Sequence, residues 1–352
     1  MSTVSETIIA ESTQQQVRPK TREQLHDPTT RALLLTGHPL ITNEALLLTP
    51  PVEELYRKVK RVVILRETGC AFSAPSGAGK SSALWMLTNM LKLELPNLYI
   101  FTHQTHTGGV KTERSIFKHL LSSIKHGSTA GQTEDLRIRL VNTMADQAKH
   151  SGLNMVVMLI DEAQALSNEE FQLLKDISND LQKERVQLVT IFMGQSPDLE
   201  ARIRDIWLSA KLDLVGRFAM RHHTFRAYNS LSDLAALLKG IDEEIYPYDS
   251  DWSWTEFFLP KAFGAGFRLA SEAPHFFDAL KAASPHVSSG EFRFPARQVF
   301  TAIRTFLVDS ADLDSHDLRL PPTRWQEAID YALLGEAMQM MEKPRDQSEV
   351  RT

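Results

Sequence analysis

The sequence predicts an α/β fold, a five-stranded parallel sheet wrapped by helices and followed by a smaller helical lid. Three observations predict it. Short apolar runs alternate with helix-length stretches between residues 69 and 226, the pattern of parallel strands covered on both faces. One of these runs opens onto the small-residue loop Ala74-Pro-Ser-Gly-Ala-Gly-Lys80-Ser81 and then a helix, Ser82-Ala-Leu-Trp-Met-Leu. A second run, Met155-Val-Val-Met-Leu-Ile160, ends in the acid pair Asp161-Glu162.

Taken in order, residues 1–28 are polar and lack periodicity, which predicts a flexible arm,. Arg31 to Leu48 carries two apolar clusters around His38-Pro39-Leu40-Ile41, Pro50-Pro51 breaks the chain, and Val52 to Val63 reads as a lead-in helix. Strands are expected at 69–74, 98–102, 155–160, 186–193 and 222–226. Thr133-Glu-Asp-Leu opens a helix that Gly152 follows, and Ser167-Asn-Glu-Glu170 has the capping-box pattern of another,. Beyond Asn229 the pattern is helical, with aromatic-rich connections such as Trp252-Ser-Trp254-Thr-Glu-Phe-Phe. Pro321-Pro322 precedes a final amphipathic helix, Trp325 to Met341. The expected organisation is therefore an arm (1–28), an α/β nucleotide-binding domain (29–228), a lid with C-terminal helices (229–341) and a charged flexible tail (342–352). Asp309, Asp312, Asp314 and Asp317 form an acidic turn whose spacing matches no calcium loop and reads as solvated,.

Composition narrows the class. A chain of 352 residues has room for about two domains,. Its 42% apolar and 24% charged residues are those of a soluble globular protein,. The net charge of −5 makes no global case for nucleic acid, so any such surface must be local,. A single cysteine, Cys70, excludes an intrachain disulfide and fits a reducing cytosol,. No run approaches a membrane span and the polar start is not a secretory signal,. A cytoplasmic protein with no membrane partner is expected.

The loop carries the chemistry. Glycines at 77 and 79 allow backbone N–H groups to close around a phosphate, and the helix behind adds its positive end. Ala74, Pro75, Ser76, Gly77, Ala78, Gly79, Lys80, Ser81 and Ser82 form the expected nucleotide cradle. Lys80 would reach the β- and γ-phosphates of ATP, and Ser81 would ligate Mg2+. Alanine stands at position 74 where the pattern usually has glycine. In P-loop ATPases the strand beside the loop ends in an acid pair. Asp161 would hold Mg2+ and Glu162 would orient and activate the attacking water.

Among P-loop proteins, the acid pair favours a water-activating ATPase over a small-molecule kinase. In AAA+ proteins the strand equivalent to Val186–Met193 carries a polar sensor, for which Gln195 is the first candidate and Ser196 the second. AAA+ subunits also often place an arginine just before the last core strand, reaching a neighbour's nucleotide. Arg217 of Gly216-Arg217-Phe218 is the candidate, with Arg221 second. In the lid, Phe294-Pro-Ala-Arg297 starts a helix whose first turn suits Pro295, and Arg297, with Arg293 close behind, could sense nucleotide,.

Together, Ala-Pro-Ser-Gly-Ala-Gly-Lys-Ser, Leu-Ile-Asp-Glu-Ala-Gln, Met-Gly-Gln-Ser-Pro-Asp-Leu, Gly-Arg-Phe and the upstream Thr36-Gly-His-Pro-Leu40 resemble the TnsC/TniB group of AAA+ transposition regulators. The resemblance covers roughly residues 30–305. It implies an AAA+ P-loop ATPase that binds ATP and Mg2+ and oligomerises on double-stranded DNA in the bacterial cytoplasm. The oligomer would be a ring or short helix, with six or seven subunits as the expected ring size. It also implies recruitment of a transposase to a target marked by a selection protein such as TniQ, whether protein-guided or RNA-guided. Three rival readings share the nucleotide residues: a replication-initiator or helicase-loader ATPase, a secretion or signalling ATPase that binds no DNA, and a scaffold with negligible turnover.

One stretch supports DNA binding from the residues themselves. Between His103 and His126, four Lys/Arg (Lys111, Arg114, Lys118, Lys125) oppose one Glu, giving 4 − 1 = +3 in an acidic chain. Lys111, Thr112, Arg114, Lys118 and Lys125 suit phosphate oxygens, which predicts backbone tracking without base readout. A second basic stretch, Arg202, Arg204, Lys211, Arg217, Arg221 and Arg226, is expected mainly at a subunit interface.

Overall fold

The computed structural model describes residues 25–105, 108, 112–208, 212–218, 221–284 and 292–342. Most of the expected arm, Lys111, Lys211 and the tail from residue 343 lie outside the described residues. Helices α1 (Pro28–Leu35), α2 (Pro39–Thr42) and α3 (Pro50–Ile64) precede strand β1 (Gly69–Ala74). Then come α4 (Lys80–Glu94), β2 (Tyr99–Gln104), α5 (Glu113–Ser123), α6 (Thr133–His150) and β3 (Met155–Asp161). The alternating region closes with α7 (Asn168–Lys183), β4 (Gln187–Gln195), α8 (Asp198–Leu208), α9 (Leu212–Phe218) and β5 (His222–Thr224). Seven helices follow: α10 (Leu231–Glu243), α11 (Trp254–Phe258), α12 (Pro260–Gly264), α13 (Ala273–Ala283), α14 (Ala296–Ser310), α15 (Arg324–Tyr331) and α16 (Leu334–Glu342).

Contacts group the chain into two compact units, residues 54–76 with 80–225, and residues up to 53 with 77–79 and those from 226 onward. The first unit holds the sheet. Its five strands are parallel in the order β2-β3-β4-β1-β5. Every position of β1 and β3 is buried, as their mostly apolar and small residues allow,. The expectation that the acid-pair strand lies beside the loop strand is corrected: β4 separates them, pairing Gly69 with Thr190 on one side and Met155 with Gln187 on the other. The reason lies in composition. From Leu188 to Gly194, β4 is buried throughout and can lose water on both faces, whereas β2 alternates buried with exposed and β5 is only three residues long. Those two take the edges. β5 ends at Thr224, short of the expected 226. Helix α7 starts with the Ser167–Glu170 capping box and buries Phe171, Leu174, Ile177 and Leu181 against the sheet core.

The second unit is helical. Phe276, Phe306 and Trp325 stack at its centre, with ring centroids 4.1 and 3.7 Å from the Trp325 ring. Leu34, Leu40 and Leu47 of the lead segment belong to the same core. His38 caps α2 there, its Nδ1 accepting from Leu40 N at 3.1 Å amid the rings of Tyr246, Trp254, Phe257 and Phe258. The single final helix expected over 325–341 is two helices. The chain breaks at Leu333, whose φ of 52° leaves the right-handed helical region, and Leu334 turns into the core,. In the acidic turn, Asp314 accepts from Lys261 N and Ala262 N at the start of α12, and Asp317 pairs with Arg319. Among the described residues, no group of three or more His, Cys, Asp or Glu forms a metal cluster, and no helix is long and apolar enough to cross a membrane.

Candidate functional site

The site is built where β1, β3 and β4 end. Ala74 is the last residue of β1, fully buried and in register with Gln195. An extended position of this kind accepts a Cβ, which explains why alanine serves where glycine is usual. The loop then turns through Gly77 (φ 74°) and Gly79 (φ 85°), both in the left-handed region that glycine occupies without strain,. Helix α4 begins at Lys80 and is anchored by Ala83, Leu84, Leu87 and Leu91. Its fixed N-terminus points unpaired backbone N–H groups at the loop.

The acid pair meets this helix across the sheet. Ser81 Oγ donates to Asp161 Oδ2 at 2.7 Å, although eighty residues separate them. Asp161 is only 5% exposed, and its second oxygen accepts from Glu162 N at 2.9 Å. Glu162 has φ 55°, a left-handed conformation that is costly for a residue with a side chain and that collects at functional positions,. Gln164 Nε2 donates to Glu162 Oε2 at 2.6 Å. Gln164 Oε1 in turn accepts from Gln195 N at 2.9 Å. The neighbouring Ser196 N donates to Ala74 O at 2.9 Å, and Ser196 Oγ donates to Glu200 at 2.8 Å.

These contacts bring together Lys80, Ser81, Asp161, Glu162 and Gln195 of the sequence-predicted set. The donor chemistry fits a magnesium–nucleotide complex. One hydroxyl and one carboxylate are hard oxygen ligands, too few for an all-protein cage and the number that leaves the remaining positions to phosphates and water. The left-handed turns at Gly77 and Gly79 put no side chain of their own into the loop. Ser81 and Asp161 would hold the ion; the loop amides and Lys80 would hold the phosphates. Gln164 closes the Leu-Ile-Asp-Glu-Ala-Gln stretch, and the sequence assigns it no role. Its signal was a polar side chain two residues past the acid pair, which only the left-handed turn at Glu162 brings into contact.

Other predicted residues are placed differently. Arg217, half-buried, donates from Nη1 to Ser178 Oγ and Asn179 Oδ1 of its own chain at 3.2 and 2.8 Å. Arg221 pairs with Glu67, Arg226 with Asp233, and Arg202 Nε donates to Leu166 O. Much of the second basic stretch is thus engaged within the chain. In the helical unit, Pro295 is the N-cap of α14 rather than part of its first turn, and Arg297 N donates to Gly77 O at 3.2 Å. In the first basic stretch, Thr112 caps α5 by a reciprocal bond with Ser115, and Arg114 Nε donates to Gly131 O at 3.0 Å. Lys118 is half-buried and Lys125 exposed, whereas His103 is buried with Ser123 at 2.8 Å.

A family model described as "AAA domain" matches residues 66–203, which contain the loop, the acid pair and Gln195. No curated protein matches the chain. Among solved structures, the chain is similar to Drosophila ORC bound to DNA, with 13% identity, coverage of 97% of this chain and 75% of that one, and a TM-score of 0.49. It is also similar to domain III of the Thermotoga maritima replication initiation protein DnaA (13% identity, 85% and 95% coverage, TM-score 0.40). A third is Cdc6p from Pyrobaculum aerophilum (11% identity, 77% and 65% coverage, TM-score 0.46). The domain match, the parallel sheet order and the loop-to-acid geometry together make this an AAA+ P-loop ATPase fold.

Proposed function

We propose that this chain is an ATP-hydrolysing switch that assembles on duplex DNA and regulates DNA transposition. The observation that carries the ATPase part is the Ser81–Asp161 contact with Glu162 held beside it. Bound ATP with Mg2+ would supply the phosphoryl group and the charge that polarises it. Lys80 counters negative charge at the phosphates. Glu162 orients a water and accepts its proton, its carboxylate held by Gln164 just past the end of β3,. Gln195, the last residue of the neighbouring strand β4, would serve as the sensor.

Arg217 completes a neighbouring subunit's site in this reading. To do so it must leave Ser178 and Asn179, which makes hydrolysis conditional on assembly,. The duplex-DNA part rests on the basic stretch around Lys118 and Lys125 and on the motif resemblance; transposase and target-selection partners rest on the resemblance alone. Assembly in the ATP state and disassembly after hydrolysis would let only stabilised oligomers persist.

The test is light scattering with ATP, ADP or a non-hydrolysable analogue, each with and without a short duplex. Growth to a defined large assembly only with ATP-state nucleotide plus duplex is expected. Glu162→Gln should bind ATP normally, stop turnover and trap the assembly. Loss of ATP binding in that variant, or assembly indifferent to DNA, refutes the reading; the second outcome moves it to a secretion or signalling ATPase.

A further inference from the structure

We infer that Gln164 is a positioning residue that ties the water-activating carboxylate of Glu162 to the sensor strand β4. The inference rests on the reading of Glu162 given above. Its basis is a single amide bonded at both ends within one compact unit. Nε2 donates to Glu162 Oε2 at 2.6 Å, and Oε1 accepts from Gln195 N at 2.9 Å. The orientation of that amide is not open to reversal. A backbone N–H can only donate, so the oxygen must face Gln195 and the NH2 must face Glu162.

A second observation is independent of these bonds. A Cβ on Gly194 would lie 2.8 Å from Gln164 Oε1 and 3.0 Å from Leu199 Cβ. The residue before the sensor position is bare where the amide must pass. Gly194 is the penultimate residue of β4, and a glycine within a strand often marks a close approach of another group,. Here the groups approaching are the Gln164 carboxamide, the nearer of the two, and the Leu199 side chain of α8.

The consequence is mechanical. Glu162 sits in a backbone conformation that its own chain disfavours, and three bonds hold it: Asp161 Oδ1 to its N–H, its C=O to Ala165 N, and Gln164 to its carboxylate. Only the last fixes the side chain. A shift of Gln195, as when a sensor engages bound nucleotide, moves Oε1 and with it the NH2 that sets the Glu162 rotamer. Gln164 thereby makes the position of the water-activating group depend on the state of β4.

The experiment compares Gln164→Leu, Gln164→Asn and Gly194→Ala with wild type and Glu162→Gln. Three readouts are taken: steady-state ATP turnover, affinity for a fluorescent ATP analogue, and amide exchange of Gln195 in nucleotide-free protein. Hydrogen bonds to a charged group are commonly worth about a 10- to 100-fold effect. Gln164→Leu should lower kcat by that factor with analogue affinity within about 2-fold. The shorter Gln164→Asn, which keeps the amide but cannot span both partners, should behave alike. Gln195 amide exchange should speed by at least about 10-fold in both, a change that needs neither nucleotide nor turnover. Gly194→Ala should reproduce the kcat loss and add nothing in the Gln164→Leu background. Wild-type turnover in both Gln164 variants while Glu162→Gln is inactive overturns the inference and leaves the functional reading intact. Unchanged Gln195 exchange, or additive losses in the double variant, also overturns it. Normal turnover in Glu162→Gln sinks both.

Discussion

His38 gives the most quantitative prediction, because its surroundings leave a proton nowhere to go. The ring is fully buried, Nδ1 already accepts from Leu40 N, Nε2 has no partner among the described residues, and four aromatic rings lie within 5.4 Å, centroid to centroid. Burial lowers its pKa from the ordinary 6.5 to about 3. In the folded chain the ring stays neutral; in the unfolded chain it protonates below about 6.5. Stability from this site is therefore complete above pH 6.5 and is lost as pH falls toward 3, with a slope approaching ~1.4 kcal/mol per pH unit. Between pH 8 and pH 5 the loss comes to ~2 kcal/mol. The perturbation is His38→Asn, which keeps an acceptor for Leu40 N and removes the titration. The assay is urea unfolding followed by tryptophan fluorescence at pH 8, 6.5, 5.5 and 5, with Trp254 among the reporters beside the ring. Asparagine should be less stable at pH 8 because of lost packing, and the gap should shrink by ~2 kcal/mol by pH 5. Parallel pH dependences in the two proteins, or an imidazole resonance of His38 titrating near 6.5, would refute the reasoning.

Three further outcomes follow from other parts of the molecule. Asp233 is buried, which alone would raise its pKa, yet the Arg226 fork, the Asn229 N–H and Ser230 hold it below the usual carboxylate range. Asp233→Asn should cost ~3 kcal/mol in urea unfolding at neutral pH. Because a depressed carboxylate stabilises above its unfolded pKa and loses that contribution as pH falls through the folded one, the variant should also show a shallower acid limb below about pH 4. Burial, aided by Glu67 and opposed by Arg221, pushes the Cys70 thiol up to about 12. A thiol-exchange reagent at pH 8 should label the native protein far more slowly than the urea-unfolded one, and rapid native labelling would contradict the buried strand position. Lys118→Glu with Lys125→Glu should weaken duplex binding and reduce the slope of log K against log salt by about 0.9 per lost phosphate contact; an unchanged slope would remove this stretch from the DNA surface.

What could be read in the sequence and what could not divide along one physical line. Features set by local chemistry were legible. β1 and β3 announced themselves because a strand buried on both faces is built mostly of apolar and small residues, and the α7 cap because Ser167 and Glu170 satisfy each other three residues apart,. The meeting of Ser81 with Asp161 was legible in the same way, because each stands at the end of a strand-borne element and the sheet brings those ends together. Features set by distant partners were not. The place of β4 between β1 and β3 depends on comparing how much burial each strand can tolerate, a comparison across more than a hundred residues. The break at Leu333 carries no glycine or proline; it exists because Leu334 finds a core to enter. The same holds at the site. Gln164 is a neighbour of Glu162 in sequence, but its second partner is a backbone N–H on β4, and its path is open because position 194 has no side chain. A motif therefore names the groups that touch the ligand, whereas the residues that aim those groups are found only where the strand order brings a second strand alongside. The Gly194→Ala variant presses on both Gln164 and Leu199, so it is the comparison of its loss in the wild-type and Gln164→Leu backgrounds that tells whether Gln164 is the link.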